Sequence, residues 1–424
     1  MPSAASIRRS VRVLACLLAS AALARAARAS DLVVDATGAA GAFANVNQAM
    51  AVAVPGDRIL VMPGTYPAFQ FERGVSVLGM GATADDVRIA RVDFHVSIPN
   101  VGYDALLSNV TAGDGLPLDA LAITGNELNP GSFVVDGVIV KGGVFLGGGA
   151  NGFYALLSNS SVDTPPGHGF AGAAVYLGGK PGFSADIVNS RIDGWDAAPA
   201  QGVGAGTALL LAGGMRARIA GSTIRGGDGA GALPAGADAI RSGGASAVVS
   251  LRMDGSTIVH GGDAAAGGAG GDGVDVFVTT ELGEAHVSGG AGSPSGVPFP
   301  QAPPVPQPVG AHLGIDPPHA DALGQTFLVS GDALTLAIDA PANLAAIAIS
   351  FQLDMPSPGL FLCLHQPFGL LVFGNHIDAL VPTIPGLDLP GVMVFGQGFV
   401  RPAQGGPLLL TNVAAVRTDL IAGS

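Results

Sequence analysis

The chain has 424 residues with 66 glycines and 30 prolines; 48% of it is hydrophobic, only 12% is charged, and the formal net charge is −13. So few cations on an acidic chain exclude nucleic acid and anionic lipid as partners, because both need clustered Lys and Arg to neutralise phosphate. The length exceeds one ordinary domain.

Residues 1–29 read as a secretory signal. Arg8, Arg9 and Arg12 form a positive start, residues 13–24 an apolar stretch, and Ala27-Arg28-Ala29 a small-x-small cleavage site before Ser30. The apolar stretch is shorter than the roughly 20 residues a membrane helix needs, so no integral membrane segment is expected once the leader is removed. Arg8-Arg9 also fits twin-arginine export, although paired arginines are usually just the positive charge of an ordinary leader. The mature chain is expected outside the cell or at its surface, with 14 basic residues against 32 acidic ones, a net charge of −18. Lys141 and Lys180 are its lysines. Cys16 lies inside the leader, so Cys363 stands alone and no intramolecular disulfide can form; flanked by Leu362 and Leu364, it reads as a small buried hydrophobe, with a reactive thiol as the alternative.

Residues 45–53 are amphipathic, with Val46, Ala49, Met50 and Ala53 on one helical face. Beyond them three phrases recur: Asn189-Ser190-Arg191-Ile192-Asp193-Gly194, Gly221-Ser222-Thr223-Ile224-Arg225-Gly226 and Gly255-Ser256-Thr257-Ile258-Val259-His260-Gly261. Looser copies lie at 108–113, 136–143 and 159–163. A recurrence near 30 residues, made of short apolar runs closed by Gly or Asp, predicts a solenoid of strands and turns. In a parallel β-helix Ile192, Ile224 and Ile258 would stack as one inward column, and Ser190, Ser222 and Ser256 would form a hydroxyl ladder beside it. There is space for roughly eight coils between Ile59 and Gly290, with the 45–53 helix as the lid on the open end.

The order helix, Pro55-Gly56-Asp57-Arg58, Ile59-Leu60-Val61-Met62, Pro63-Gly64-Thr65-Tyr66 and Arg73-Gly74-Val75 through Gly79 resembles the N-terminal portion of pectin-lyase-like right-handed β-helix proteins. That resemblance implies the fold, an all-β right-handed parallel β-helix over residues 30–292. It also raises polysaccharide chemistry, because the family's enzymes act through carboxylates or a basic residue projecting from neighbouring coils.

Residues 293–309 hold seven prolines and predict a stiff linker or strap, placed at 293–311. From 312 to 424, strand-like runs at 325–329, 334–338, 345–351, 360–364, 370–373, 392–395 and 408–411 predict a small antiparallel β-sandwich. This segment resembles C-terminal domains appended to secreted bacterial proteins through Leu323-Gly324-Gln325-Thr326-Phe327, Val394-Phe395-Gly396-Gln397-Gly398 and Leu409-Leu410-Thr411-Asn412.

The chemistry-bearing candidates are few. Asp196 and Asp228 follow their serines by six residues and Asp263 follows Ser256 by seven, so stacked turns would bring three carboxylates into a column. Such a column could hold Ca²⁺ or split into acid and base, or it could be ordinary turn chemistry. Trp195 beside it could stack on a sugar or lie flat on neighbouring coils. Gly267-Gly268-Ala269-Gly270-Gly271-Asp272-Gly273-Val274-Asp275 fits the calcium-binding nonapeptide once, without the second turn that completes such a site. His168, His260 and His286 show no paired metal spacing, and the glycosylation sequons at Asn109 and Asn159 are not expected to be used in a chain of such Ala- and Gly-rich composition. The reading favours a non-catalytic protein with a structural, adhesion or carbohydrate-contact role; the alternative is a polysaccharide lyase or glycoside hydrolase using the acidic column. No residue is assigned as catalytic, cofactor-binding or metal-binding, and the expected partner is an extracellular polysaccharide or a cell-envelope component.

Overall fold

A computed structural model describes residues 30–94, 103–113, 121–127, 131–148, 153–179, 183–243, 250–254, 256–276, 280–283 and 285–300, and a series of strands between 305 and 418. Up to residue 306 the strands fall into three parallel sheets of 11, nine and eight strands, here sheets 1, 2 and 3. Consecutive strands visit the sheets in rotation: Ser184–Val188 in sheet 1, Arg191–Asp193 in sheet 2, Thr207–Gly213 in sheet 3, and then Arg216–Ala220 back in sheet 1. This is the path of a parallel β-helix, and among the described residues the eight strands of sheet 3 mark eight coils.

Alternation writes the core. Val77, Leu107, Val135, Leu157, Ile187, Ile219 and Met253 succeed one another inward along sheet 1, each buried. The turn from sheet 1 to sheet 2 is left-handed in coil after coil, with φ of 53° at Asn109, 62° at Gly137, 49° at Asn159, 48° at Asn189 and 59° at Gly221. Only Gly and Asn visit that region at little cost, which is why these two residues alternate at the head of the repeat. The sequon asparagines are therefore turn formers. Asn109 Nδ2 donates to the carbonyls of Gly79 and Gly81 at 2.9 and 3.0 Å, and Asn159 Nδ2 donates to Asp136 Oδ1 at 2.8 Å.

The lid is where the pattern places it. Helix Val46–Val52 is capped by Asn45, whose side chain accepts the N–H of Gln48 at 3.0 Å. Val46, Ala49, Met50 and Ala53 are at most 1% exposed, and the helix packs on Asp31–Val34, Arg58–Val61 and Phe69–Phe71, the first strands of the coil stack.

One register corrects the sequence reading. Ile192 pairs with Ile224, but Ile224 pairs with Val259, not Ile258. Ile258 is 48% exposed whereas Val259 is fully buried. The fourth member of the hydroxyl ladder is likewise Thr257, not the exposed Ser256. This coil is one residue longer before its sheet 2 strand, and the period-2 rule sends every side chain to the opposite face after a one-residue slip. In the ladder itself, the N–H of Ser160 donates to Ser190 Oγ at 3.2 Å and that of Ser190 to Ser222 Oγ at 3.1 Å. Thr257 Oγ1 donates to Asp254 O at 2.6 Å.

Val305–Pro306, within the proline-rich stretch, adds a last parallel strand to sheet 1. Beyond it lie a three-stranded sheet and a six-stranded sheet, antiparallel except where Thr326–Leu328 meets Leu409–Thr418. Strands Thr326–Leu328, Ala333–Asp339, Ala342–Ser350, Phe368–Val372, Met393–Pro402 and Leu409–Thr418 coincide with expected runs; the run at 360–364 and Cys363 lie outside the described residues. Among those residues no helix is long and apolar enough to cross a membrane.

Candidate functional site

The acidic column lies in the connections between sheet 2 and sheet 3. Each connection is a pair of extended legs: 194–198 and 203–206, then 226–230 and 233–239, then 261–265 and 268–273. These legs carry no strand ladder, yet their amides are bonded in a regular rotation. The N–H of Gly226 donates to His260 O, that of Gly227 to Gly206 O, that of Asp228 to Asp196 Oδ1 and that of Gly229 to Asp263 O, all within 2.8–3.0 Å. One coil on, Gly261, Gly262, Asp263 and Ala264 donate to Ser288 O, Ala237 O, Asp228 Oδ1 and Ala291 O. The direction returns every third residue, the periodicity of a polyproline II chain, which has three residues per turn and no internal hydrogen bonds. Such legs pack closely enough to bond only where side chains vanish. A Cβ on Gly227 would stand 1.9 Å from the carbonyl oxygen of Trp195, and one on Gly262 would stand 1.8 Å from that of Gly227.

The aspartates complete this lattice. In the one direction of three where no backbone carbonyl of the preceding coil stands opposite, a carboxylate does. Asp196 serves the N–H of Asp228, Asp228 serves that of Asp263, and Asp263 serves that of Ala291 at 2.7 Å. The sequence prediction that the three stack is correct, and the one-residue slip found at Val259 explains why Asp263 follows its serine by seven residues instead of six. Arg225 Nη2 meets Asp228 Oδ2 at 2.5 Å, while His260 Nε2 lies 3.4 Å from Asp263 Oδ1 and its Nδ1 lies 2.8 Å from Ser288 Oγ. Exposed pairs of this kind relieve the repulsion of stacked carboxylates without adding much stability. The Ala291 N–H holds the Asp263 carboxyl below the ordinary carboxylate range, against an opposing effect of burial and with help from His260 and Arg225.

A second column escaped the sequence reading. Asp238 Oδ1 accepts the N–H of Asp272 at 2.9 Å, and Asp272 Oδ1 accepts that of Val297 at 2.8 Å. The signal was present in Ala235-Gly236-Ala237-Asp238 and Ala269-Gly270-Gly271-Asp272, which end corresponding legs. Burial pushes the Asp238 carboxyl up, and Asp275 and Asp272 add to the effect, with the Asp272 N–H opposing it. The calcium-type nonapeptide is thus one of these legs, its Asp272 engaged with backbone. Among the described residues no group of three or more His, Cys, Asp or Glu is arranged to hold a metal ion.

Trp195 does not present its ring to solvent. It is 7% exposed, its indole N–H donates to Gly204 O at 2.9 Å, and its six-membered ring lies where a Cβ on Gly169 or Gly206 would stand 2.3 Å away. His168 is buried at 6% exposure, and His286 lies exposed on the last strand of sheet 2. Arg191 reaches Asp193 at 2.5 Å and leaves the acidic column alone. Lys141 faces Asp85 at 3.8 Å, and Lys180 lies outside the described residues. The arrangement can therefore bind backbone to backbone and hold a charged outer corner, with one oxygen of each of Asp196, Asp228 and Asp263 engaged by an amide of the following coil. No protein-family model matches the chain, and a search of the curated proteins finds none that matches it.

Proposed function

We propose that the mature chain is a non-catalytic secreted or cell-surface protein: a right-handed, pectin-lyase-like β-helix followed by a small antiparallel β-sandwich, with a structural, adhesion or carbohydrate-contact role. The observation that carries this reading is the engagement of Asp196, Asp228 and Asp263, each through Oδ1, with the amide of the following coil. A lyase or hydrolase of the family it resembles needs carboxylates free to take or give a proton, or to ligate Ca²⁺, in a groove that also holds the sugar. Here the one tryptophan near the column is packed away and the nearby guanidinium of Arg225 is already paired. Small residues dominate the surrounding legs, which suits a rigid rod more than a cleft with convergent polar groups.

The test is incubation of the purified mature protein with a panel of acidic and neutral polysaccharides, with and without Ca²⁺, read as unsaturated-product absorbance and new reducing ends. No turnover is expected on any of them, whereas retention on an insoluble polysaccharide or on cell-envelope material is. Turnover that disappears in a folded Asp228→Ala variant would establish the enzymatic alternative. The export reading is checked by mass spectrometry of protein recovered from the medium, which should begin at Ser30.

A further inference from the structure

The outer flank of sheet 1 is buried where a solenoid flank ordinarily meets water. One outward column runs Leu106, Val134, Leu156, Asp186, Arg218, Arg252 in register across six coils. Leu106, Val134 and Leu156 in it are 7%, 4% and 1% exposed, and Tyr154 beside them is fully buried. A parallel strand buried on both faces needs a covering layer.

Asp186 follows these apolar residues and is itself 1% exposed. An ionised carboxylate so placed is costly unless paired and hydrogen-bonded. Arg218 meets it with two parallel bonds, Nε to Oδ1 and Nη2 to Oδ2, both 2.8 Å. Its remaining nitrogen, Nη1, donates to the carbonyl of Thr411 at 2.6 Å, 193 residues away in sequence. Strand Leu409–Thr418 lies against Ser184–Val188 and Arg216–Ala220.

Arg218 reaches Thr411 at a point where the ladder of the C-terminal sheet is interrupted. In the ladder between Met393–Pro402 and Leu409–Thr418, Gln397 faces Val413 but Phe399 faces Leu410, so residues 411 and 412 both oppose Gly398. That is a β-bulge, a device that turns a backbone group out of its ladder. The N–H of Gly398 takes Thr411 Oγ1 at 2.7 Å in place of a carbonyl, and Gln397 Nε2 joins Arg218 on Thr411 O at 3.3 Å. Gln397 and Thr411 are fully buried. These residues belong to the two phrases, 394–398 and 409–412, that stand out in the sequence of the C-terminal segment.

We propose that the outer flank of sheet 1 at Ser184–Val188 and Arg216–Ala220 is the docking surface for strand Leu409–Thr418 of the same chain, and that the Asp186–Arg218 pair, read by the Thr411 carbonyl at the bulge, fixes the register in which the two parts meet. Apolar side chains would give such a contact area without position, because leucines and valines slide over one another at little cost. A buried ion pair adds little net stability but tolerates only one alignment. The C-terminal segment is then a fixed cover on the solenoid's flank, not a module swinging on its proline-rich tether.

Amide hydrogen exchange on the full mature chain tests this. Asp186→Ala takes from Arg218 the carboxylate that aligns it, and the amides of 409–418 should exchange roughly a hundredfold faster or more. Those of Thr223–Arg225 in sheet 2 should hold as the sign that the solenoid is intact. Replacing the pair together, Asp186→Leu with Arg218→Met, should retain a covered flank yet broaden the exchange of 409–418 into two or more populations as alignment is lost. Gln397→Ala, which leaves the solenoid untouched and removes the buried Nε2 bond to Thr411 O, should speed exchange across 409–418 by about tenfold or more. Unchanged exchange of 409–418 in Asp186→Ala with sheet 2 protected, or, if that variant fails to fold, unchanged exchange in Gln397→Ala, overturns the proposal.

Discussion

The backbone N–H of Asp263 donates to the carboxylate of Asp228 one coil away at 2.8 Å, and the N–H of Asp228 donates in turn to Asp196 at the same distance. Three carboxylates in a row look like a reaction centre in one dimension and a lattice strut in three. Each fills the direction that a three-residue periodicity leaves without a carbonyl, so its acceptor oxygen is committed before any ligand arrives.

Removing that acceptor should cost stability. Asp228→Ala leaves the Asp263 N–H without its partner and is expected to lower unfolding free energy by about 1–3 kcal/mol. Asp228→Asn keeps an acceptor oxygen and should cost clearly less. Urea unfolding followed by far-UV circular dichroism orders the two; equal costs would show that the carboxylate acts through charge alone.

Glycine is required where legs touch and is dispensable where they do not. Gly262→Ala places a Cβ 1.8 Å from a neighbouring carbonyl oxygen, whereas a Cβ on Gly204 meets nothing within 4 Å. The first should destabilise by about 3 kcal/mol or more, since backbone must move. Gly204→Ala should stay within about 0.5 kcal/mol of the parent. Melting temperatures of the two variants provide the comparison.

The register at the longer coil separates two neighbouring residues. Val259→Ala removes buried methyl groups and should cost about 2 kcal/mol, while Ile258→Ala alters an exposed side chain and should change stability by less than about 0.5 kcal/mol. Thr257→Val should likewise cost about 1 kcal/mol through its lost bond to Asp254 O, and Ser256→Ala almost nothing. The reverse ranking would restore the column Ile192, Ile224, Ile258.

Asp263 and Asp238, one from each aspartate column, should respond to pH with opposite sign. The Asp263 carboxyl is held below its ordinary value, chiefly by the Ala291 N–H. It therefore contributes stability above its unfolded pKa and loses it as pH falls through the lowered folded value. Asp263→Asn should be less stable than the parent at neutral pH, with the gap closing in acid. The Asp238 carboxyl is raised, chiefly by burial, so its contribution is complete below its unfolded pKa and is lost as pH rises through the raised folded value. Asp238→Asn, which keeps an acceptor for the Asp272 N–H, should match the parent in acid and exceed it at neutral pH. Denaturant midpoints across pH 3–8 read both differences.

The sequence by itself determined the solenoid. Ser190 and Ser222 disclose a hydroxyl ladder, Ile192 and Ile224 an inward column, and Val46, Ala49 and Met50 a lid, because each of these is a short-range pattern in which residue type and backbone geometry are tied within a few positions. The tertiary structure alone decided what the patterns do. One extra residue before Thr257 exchanges Ile258 for Val259 in the core, a choice that only pairing with the preceding coil can make. The fate of Asp228 depends on an amide 35 residues away, and that of Arg218 on a carbonyl 193 residues away. The spacing of the aspartates announces a column, but which amide each carboxylate serves and which carbonyl Arg218 reaches are set by contacts between distant parts of the chain, so they emerge only when the chain is wound.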